Sequence, residues 1–153
     1  GIRGDRTYDA GAKLTRRDIL TELPFGNLTV VTELPGSQVL TALENSVSQV
    51  EKGAGRFAQV SGLTFVYDEA AEPGARVSEV MVGGAALDAD KLYSVAVNEY
   101  ILGGGDGFAS LGGGKIITDT GGGQLVANDV MRYVEKLGTV KPAVEGRIKK
   151  LGQ

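Results

Sequence analysis

Residues 28–34, with the sequence LTVVTEL, are the stretch around which the fold is organised, and their β-branched content predicts a strand. After Pro35 and Gly36, Ser37 can cap a helix that extends to about Lys52. The apolar residues of this segment recur at helical spacing on one face. They are Val39, Leu40, Leu43, Val47 and Val50. This strand and helix begin the order of elements that determines the fold class.

The flanking segments supply the remaining elements. Upstream, Thr15 and Asp18 have the spacing of a capping box with a shorter acidic arm, which predicts a short helix that Pro24 ends after Leu23. Downstream, alternating patterns predict strands at Leu63–Asp68, Val77–Val82, Leu92–Asn98 and Lys115–Thr118, a helix at Gln124–Leu137 capped by Gly138, and a tail at Lys141–Lys150. The order lacks a regular β-α-β alternation. It therefore predicts a single α+β domain, with a mixed β-sheet and helices packed against it.

Composition excludes several classes of function. Sixteen basic and nineteen acidic residues give a net charge of −3, and without a long basic stretch the chain is not expected to bind a nucleic-acid polymer. No apolar run approaches the roughly 20 residues of a membrane span. The chain has neither His nor Cys, so the usual zinc ligands and the commonest general base are missing. We therefore expect no catalytic or metal-ligating residue in this chain.

Residues 98–108, with the sequence NEYILGGGDGF, are the most informative segment for function. The glycines, among them Gly104 and Gly105, allow the backbone to approach a ligand closely and expose N–H groups. The Asp106 carboxylate is suited to accept hydrogen bonds from two vicinal sugar hydroxyls. Tyr100 and Phe108 flank the turn and can present flat faces. The alternative is ordinary turn chemistry, with Phe108 in the core.

A second candidate is the connection that contains Arg56 and Phe57, between a helix and a strand. An exposed arginine beside a phenylalanine can contact a phosphate or stack on a base. The alternative is that Phe57 closes the helix–strand junction as an apolar plug. Arg3, in the opening loop, is on composition alone a surface arginine.

Several motifs in order resemble the C-terminal domain of the 5′-nucleotidase family. They are GIR at 1–3, LPFGN at 23–27, FAQVSG at 57–62, NEY at 98–100 leading to GGDGF at 104–108, and PAVEGRI at 142–148. The resemblance covers essentially the whole chain, and the ordered set is far more specific than any single motif. The family that these motifs resemble includes 5′-nucleotidases, UDP-sugar hydrolases and 2′,3′-cyclic-nucleotide phosphodiesterases.

The resemblance implies a division of labour between two domains. In this family an N-terminal metallophosphatase domain holds two divalent metal ions, and the C-terminal domain binds the nucleoside and delivers its phosphate to them. Residues 1–153 would be the second of these domains, with the metal domain absent from this chain. The resemblance therefore implies a phosphoric ester hydrolase as a whole protein, an inactive isolated chain, and a location that is extracellular, periplasmic or at the cell surface.

The same resemblance assigns roles to particular residues. Tyr100 and Phe57 would be the two rings that sandwich the base, and Asp106 would bind the ribose of an adenosine, an AMP-like nucleotide or a nucleotide sugar. Arg3 would pair with the phosphate, and Asn27 would make a polar contact to the substrate. Two departures are visible. Tyr100 stands where relatives usually have Phe, and Pro35 lies near a position where relatives use a further arginine. Either Arg56, which we favour, or another residue takes that role, or the substrate preference differs. The alternative function is a non-catalytic binding or scaffold module of the same fold that has lost nucleotide binding.

Overall fold

The computed structural model describes residues 6–152, and within this range it contains four α-helices and eight β-strands. The helices are α1 (Arg16–Glu22), α2 (Gly36–Val47), α3 (Glu99–Leu102) and α4 (Val126–Leu137). The strands are β1 (Leu28–Pro35), β2 (Leu63–Tyr67), β3 (Val77–Val82), β4 (Ala85–Ala86), β5 (Leu92–Asn98), β6 (Lys115–Thr118), β7 (Gln124–Leu125) and β8 (Ile148–Lys150). The α+β prediction is confirmed.

The strands form two four-stranded sheets where the sequence predicts one mixed sheet. In the first sheet β1 lies at the centre, with β5 on one side and β6 and β7 on the other, and every pair is antiparallel. The second sheet has the order β4-β3-β2-β8, in which β8 runs parallel to β2 and the other pairs are antiparallel. The mixed character that the sequence predicts therefore belongs to the second sheet.

The end of the chain contains a strand that the sequence pattern did not reveal. β8 lies within the segment 141–150 that was predicted as a tail, and it pairs with β2 through Phe65, whose N–H donates to the Arg147 carbonyl oxygen at 2.9 Å. Two of the three β8 residues are lysines, so apolar alternation is absent. Lysine-rich edge strands are common because charge discourages pairing with other chains. A similar correction applies to Gln124 and Leu125, which begin the predicted helix but form β7.

Helix α2 is shorter than predicted and begins differently. Ser37 lies inside its first turn, Pro35 is the N-cap residue without a side-chain bond, and the first N–H groups donate to carbonyl oxygens of the segment before β5. The helix ends at Val47 rather than near Lys52, and the Val47 carbonyl oxygen, which has no donor within the helix, accepts a hydrogen bond from Arg76 at 2.7 Å. A 3₁₀ turn then continues to Lys52.

The hydrophobic core lies between α2 and the two sheets. It combines buried residues of β1, α2 and β2 with two from the segment after α3. They are Leu34, Val39, Ala42, Leu43, Val47, Phe65, Tyr67, Phe108 and Leu111. Phe108 is therefore a core residue, and of the two aromatic residues that flank the Gly-rich loop, only Tyr100 lies at the surface, 54% exposed.

Arg76 is a buried charged residue that fastens the second sheet to the end of α2. Its guanidinium donates to the carbonyl oxygens of Val47 and Ala71, and pairs with the Glu51 carboxylate at 2.8 Å. The hydrogen bond from Arg76 lowers the pKa of Glu51. Glu44, on α2, completes the junction by accepting hydrogen bonds from the backbone N–H groups of Arg76 and Val77.

We predict that Arg76→Ala lowers the free energy of unfolding by about 1–3 kcal/mol, because the buried carbonyl oxygens lose their donor. Urea unfolding monitored by circular dichroism measures this change. Arg132→Ala is the matched control, since the Arg132 side chain is 66% exposed and its loss should change the free energy by less than about 0.5 kcal/mol. Equal effects of the two substitutions would contradict the assignment.

Candidate functional site

The Gly-rich loop begins at a short helix and turns sharply into the core. Asn98 caps α3, its side-chain oxygen accepting a hydrogen bond from the Ile101 N–H at 2.9 Å. Residues 105–107 form a 3₁₀ turn in which Gly107 has a φ of 84° and Asp106 a φ of 52°. Asp is one of the few residues with a side chain that tolerate this left-handed region. The turn leaves the Asp106 side chain at the surface while Phe108 enters the core.

Tyr100 and Asp106 are in direct contact. The Tyr100 hydroxyl donates to Asp106 Oδ1 at 3.2 Å. The Tyr100 ring lies so close to the Gly105 backbone that a Cβ at position 105 would overlap the ring atoms. A side chain at position 105 would force the Tyr100 ring to move, so the glycine allows the ring to lie against the loop backbone. An exposed aromatic face and a carboxylate thus lie side by side at the surface.

The second predicted segment, which contains Arg56, is joined to this loop through Asn45 on α2. The Arg56 guanidinium donates to Asn45 Oδ1 at 3.3 Å and to the Ser48 hydroxyl at 3.4 Å. Asn45 Nδ2 in turn donates to the Asp106 carbonyl oxygen at 3.1 Å. Arg56, Tyr100 and Asp106, together with the glycines 104 and 105, therefore belong to one cluster.

Phe57 follows Arg56 in the chain and is half-buried against the core. Its ring meets the Tyr67 ring edge to face, with the centroids 6.0 Å apart and the planes at 71°. This packing matches the plug alternative. Phe57 also borders a groove of about 380 Å³, whose other walls include Tyr67 and residues 143–148. Lys150 lines the same groove, and its hydrogen bond with Glu69 raises the pKa of the ammonium group.

Asn27 lies at the opposite end of α3 from the Gly-rich turn. Its side-chain amide donates to Glu99 Oε1 at 3.1 Å, and the Leu28 N–H donates to Glu99 Oε2 at 2.5 Å. Asn27 therefore binds the short helix that carries Tyr100, and borders a small cavity with Phe25 and Asn98. The structure does not bring Asn27 into contact with Asp106. Arg3, the remaining predicted residue, lies outside the described residues.

Asn45, Ser48 and Glu99 are the members of these contacts that were not predicted as site residues. Asn45 lies off the apolar face of α2, and Ser48 follows the last residue of that helix. Polar residues are normally solvated at such positions, so the spacing of apolar residues gave no signal for either. Glu99 adjoins Tyr100 in the quoted motif, and this adjacency was the available signal.

Within residues 6–152, no cluster of three or more acidic side chains could hold a metal ion. The described helices are also too short and too polar to cross a bilayer.

Comparison with known proteins places the chain in a family. A family model described as the 5′-nucleotidase C-terminal domain matches residues 1–113. The chain therefore belongs to the 5′-nucleotidase C-terminal domain family, as its motifs predict.

Individual relatives agree with this assignment. The trifunctional nucleotide phosphoesterase protein YfkN of Bacillus subtilis is 35% identical over 90% of this chain and 10% of its own length. Human 5′-nucleotidase is 32% identical over 97% of this chain and 27% of its own length. The crystal structure of a 5′-nucleotidase precursor from Thermus thermophilus superposes with a TM-score of 0.84 at 42% identity, covering 92% of this chain and 28% of that chain. This chain thus spans only about a tenth to a quarter of the length of these relatives.

We predict that Gly107→Ala is more destabilising than Gly84→Ala. Both glycines have a φ near 85°, so an alanine at either position carries a similar backbone cost of about 1–2 kcal/mol. An added Cβ at Gly107 would also lie 2.8 Å from Asn45 Oδ1, whereas the space at Gly84 is open. Denaturant unfolding of both variants isolates this contact. Equal losses of stability would show that Gly107 is not in close contact with Asn45 of α2.

Proposed function

We propose that this chain binds the nucleoside part of a nucleotide or nucleotide sugar, and presents the phosphate to a metallophosphatase domain of the same protein. Membership of the 5′-nucleotidase C-terminal domain family supports a substrate-binding role. The observation that carries the proposal is the pairing of an exposed Tyr100 ring with the Asp106 carboxylate on one loop. A base and its ribose need these two kinds of group within a few ångströms of each other.

The base would stack on the exposed face of Tyr100. Stacking on an aromatic ring tolerates different bases, because every base has a π-face. Phe57 would supply the second ring from the neighbouring segment. It is half-buried, its ring meets the Tyr67 ring edge to face, and the groove that it borders is lined by neither Tyr100 nor Asp106.

The ribose would bind Asp106. An ionised carboxylate accepts hydrogen bonds through two oxygens, which suits two vicinal hydroxyls. Oδ1 already accepts a hydrogen bond from Tyr100, and Oδ2 is the other acceptor of the group. The turn presents this side chain at the surface, next to the ring on which the base would lie.

The phosphate end of the site would lie beyond Asp106. Arg3 is proposed to pair with the phosphate, where the guanidinium fork suits the geometry. Arg56 is the candidate for the second arginine, and its Nη1 is held by Asn45 and Ser48. This anchoring favours a fixed guanidinium, which is the form that binds an anion with the least loss of entropy.

The chemical step would take place on another domain. The side chains of this chain do not fit the two divalent metal ions that the family resemblance implies, since the sequence has no His or Cys and residues 6–152 hold no acidic metal cluster. The contribution of this chain is then binding and orientation, which alone can remove several kcal/mol from a barrier. A location outside the cytoplasm is part of the same proposal.

We predict that Tyr100→Ala weakens adenosine binding by roughly 5- to 150-fold, the loss of one stacked base. Calorimetry measures this affinity, and the fluorescence of the five tyrosines gives a second signal, since there is no tryptophan. Tyr133→Ala is the matched control, because Tyr133 is a 63% exposed tyrosine on α4. No binding of adenosine by the unaltered chain would favour the scaffold alternative.

We predict that the 153-residue chain alone releases no phosphate from AMP, with or without added Mg²⁺, Mn²⁺ or Zn²⁺. A phosphate-release assay, run with and without a chelator, measures this. Metal-dependent hydrolysis by the purified chain would contradict the proposed division of labour.

A further inference from the structure

Asn45 connects two loops that are distant in the sequence. It is half-buried on α2, and its amide faces the Gly-rich loop on one side and the Arg56 segment on the other. Asn45 and Asp106 are 61 residues apart, and Arg56 is 11 residues from Asn45. The contacts that Asn45 makes to these two loops are hydrogen bonds of its side chain, not backbone hydrogen bonds of a sheet. The side chain itself is the connection.

The chemistry of the two partners suits an amide at position 45. The Asp106 carbonyl oxygen can only accept a hydrogen bond, and the Arg56 guanidinium can only donate one. An asparagine satisfies both at once, because its Nδ2 donates and its Oδ1 accepts. An aspartate would satisfy Arg56 but not the carbonyl oxygen, and an alanine would satisfy neither.

Packing reinforces these hydrogen bonds. The Gly107 backbone lies so close to the Asn45 amide that a Cβ there would be 2.8 Å from Oδ1 and 3.5 Å from the amide carbon. The opposite face of α2 is anchored in the core by Leu43 and Val47. The Asn45 amide is therefore presented from a rigid element, while each loop it contacts has little regular structure of its own.

We propose that Asn45 is a positioning residue that sets the spacing between the loop carrying Phe57 and the loop carrying Asp106. The inference rests on the proposed function, because these loops would hold the base and the ribose. Asn45 need not touch the ligand. It acts by fixing two loops to one helix.

The first test needs no ligand. Hydrogen exchange reports the two loops separately through the N–H of Phe57, bonded to Ala54, and the N–H groups of Gly107 and Phe108, bonded within the Gly-rich turn. Asn45→Ala is expected to speed exchange in both loops. Asn45→Asp is expected to speed it only at Gly107 and Phe108, because a charge-assisted hydrogen bond to Arg56 is kept.

Thr41→Ala is the control for this test. Thr41 lies one turn earlier on α2, and its hydroxyl bonds only to the Ser37 carbonyl oxygen of the same helix, at 3.0 Å. It should change exchange in neither loop. The inference is overturned if Asn45→Ala loosens one loop or none, or if Asn45→Asp loosens both. Should Asn45→Ala fail to fold, the selectivity of Asn45→Asp decides by itself.

The second test measures adenosine binding by calorimetry. Asn45→Ala is expected to weaken binding about fivefold, the factor for the loss of one net hydrogen bond, while Thr41→Ala has no effect. Arg56→Ala should add less in the Asn45→Ala background than alone, since the two side chains act together. Equal affinities of Asn45→Ala and Thr41→Ala overturn the inference. Absence of binding by the unaltered chain contradicts the proposed function instead, and the exchange measurement still decides the role of Asn45.

Discussion

The packing of α2 between the two sheets is the contact on which the rest of the structure depends. The helix contacts β1 of the first sheet and β3 of the second, and it contributes Val39, Ala42, Leu43 and Val47 to the shared core. The helix begins where no side chain can be accommodated, because a Cβ at Gly36 would overlap the Asp88 carbonyl group. The position of α2 is therefore fixed at its first residue by the contact of Gly36 with the Asp88 backbone, and at its last residue by the hydrogen bond from Arg76.

This central helix also determines where the candidate site lies. The Gly-rich loop approaches α2 from the first sheet, after β5, and the Arg56 segment approaches it from the helix side, before β2. Both reach the polar side of the helix, while Phe108 and Leu111 reach the apolar side. One helix thus supports the core on one face and the two loops of the candidate site on the other.

The sequence predicted well the features that depend on neighbours in the chain. The pattern at residues 28–34 predicted β1, and the Thr15–Asp18 pair predicted a capping box that the structure contains. Tyr100 and Asp106 are six residues apart, so a tight turn is enough to bring them together. Features that depend on distant partners were missed. The last carbonyl oxygen of α2 finds its donor in Arg76, and β8 forms because its backbone pairs with β2, not because of its own composition.

The candidate site follows the same rule. The aromatic residue, the carboxylate and the glycines could be predicted, because short motifs contain them. The link through Asn45 could not, since a polar residue on the outer side of a helix is normally solvated and nothing local distinguishes one that bridges two loops. Phe57 packs against the core as its plug interpretation predicts, and its role as a stacking ring stays a prediction.

The hydrogen bond between Tyr100 and Asp106 has a consequence for selectivity. With the hydroxyl of a neighbouring ring on one of its oxygens, the carboxylate is not fully hydrated before a sugar arrives. If Asp106 binds a ribose as proposed, the sugar hydroxyls would share the carboxylate with this phenolic hydroxyl. Discrimination between sugars would then depend on the angle and spacing of their hydroxyls, and a phenylalanine in place of Tyr100 would remove this competitor. The phenolic oxygen of Tyr100 thus narrows the directions from which a sugar hydroxyl could reach this carboxylate.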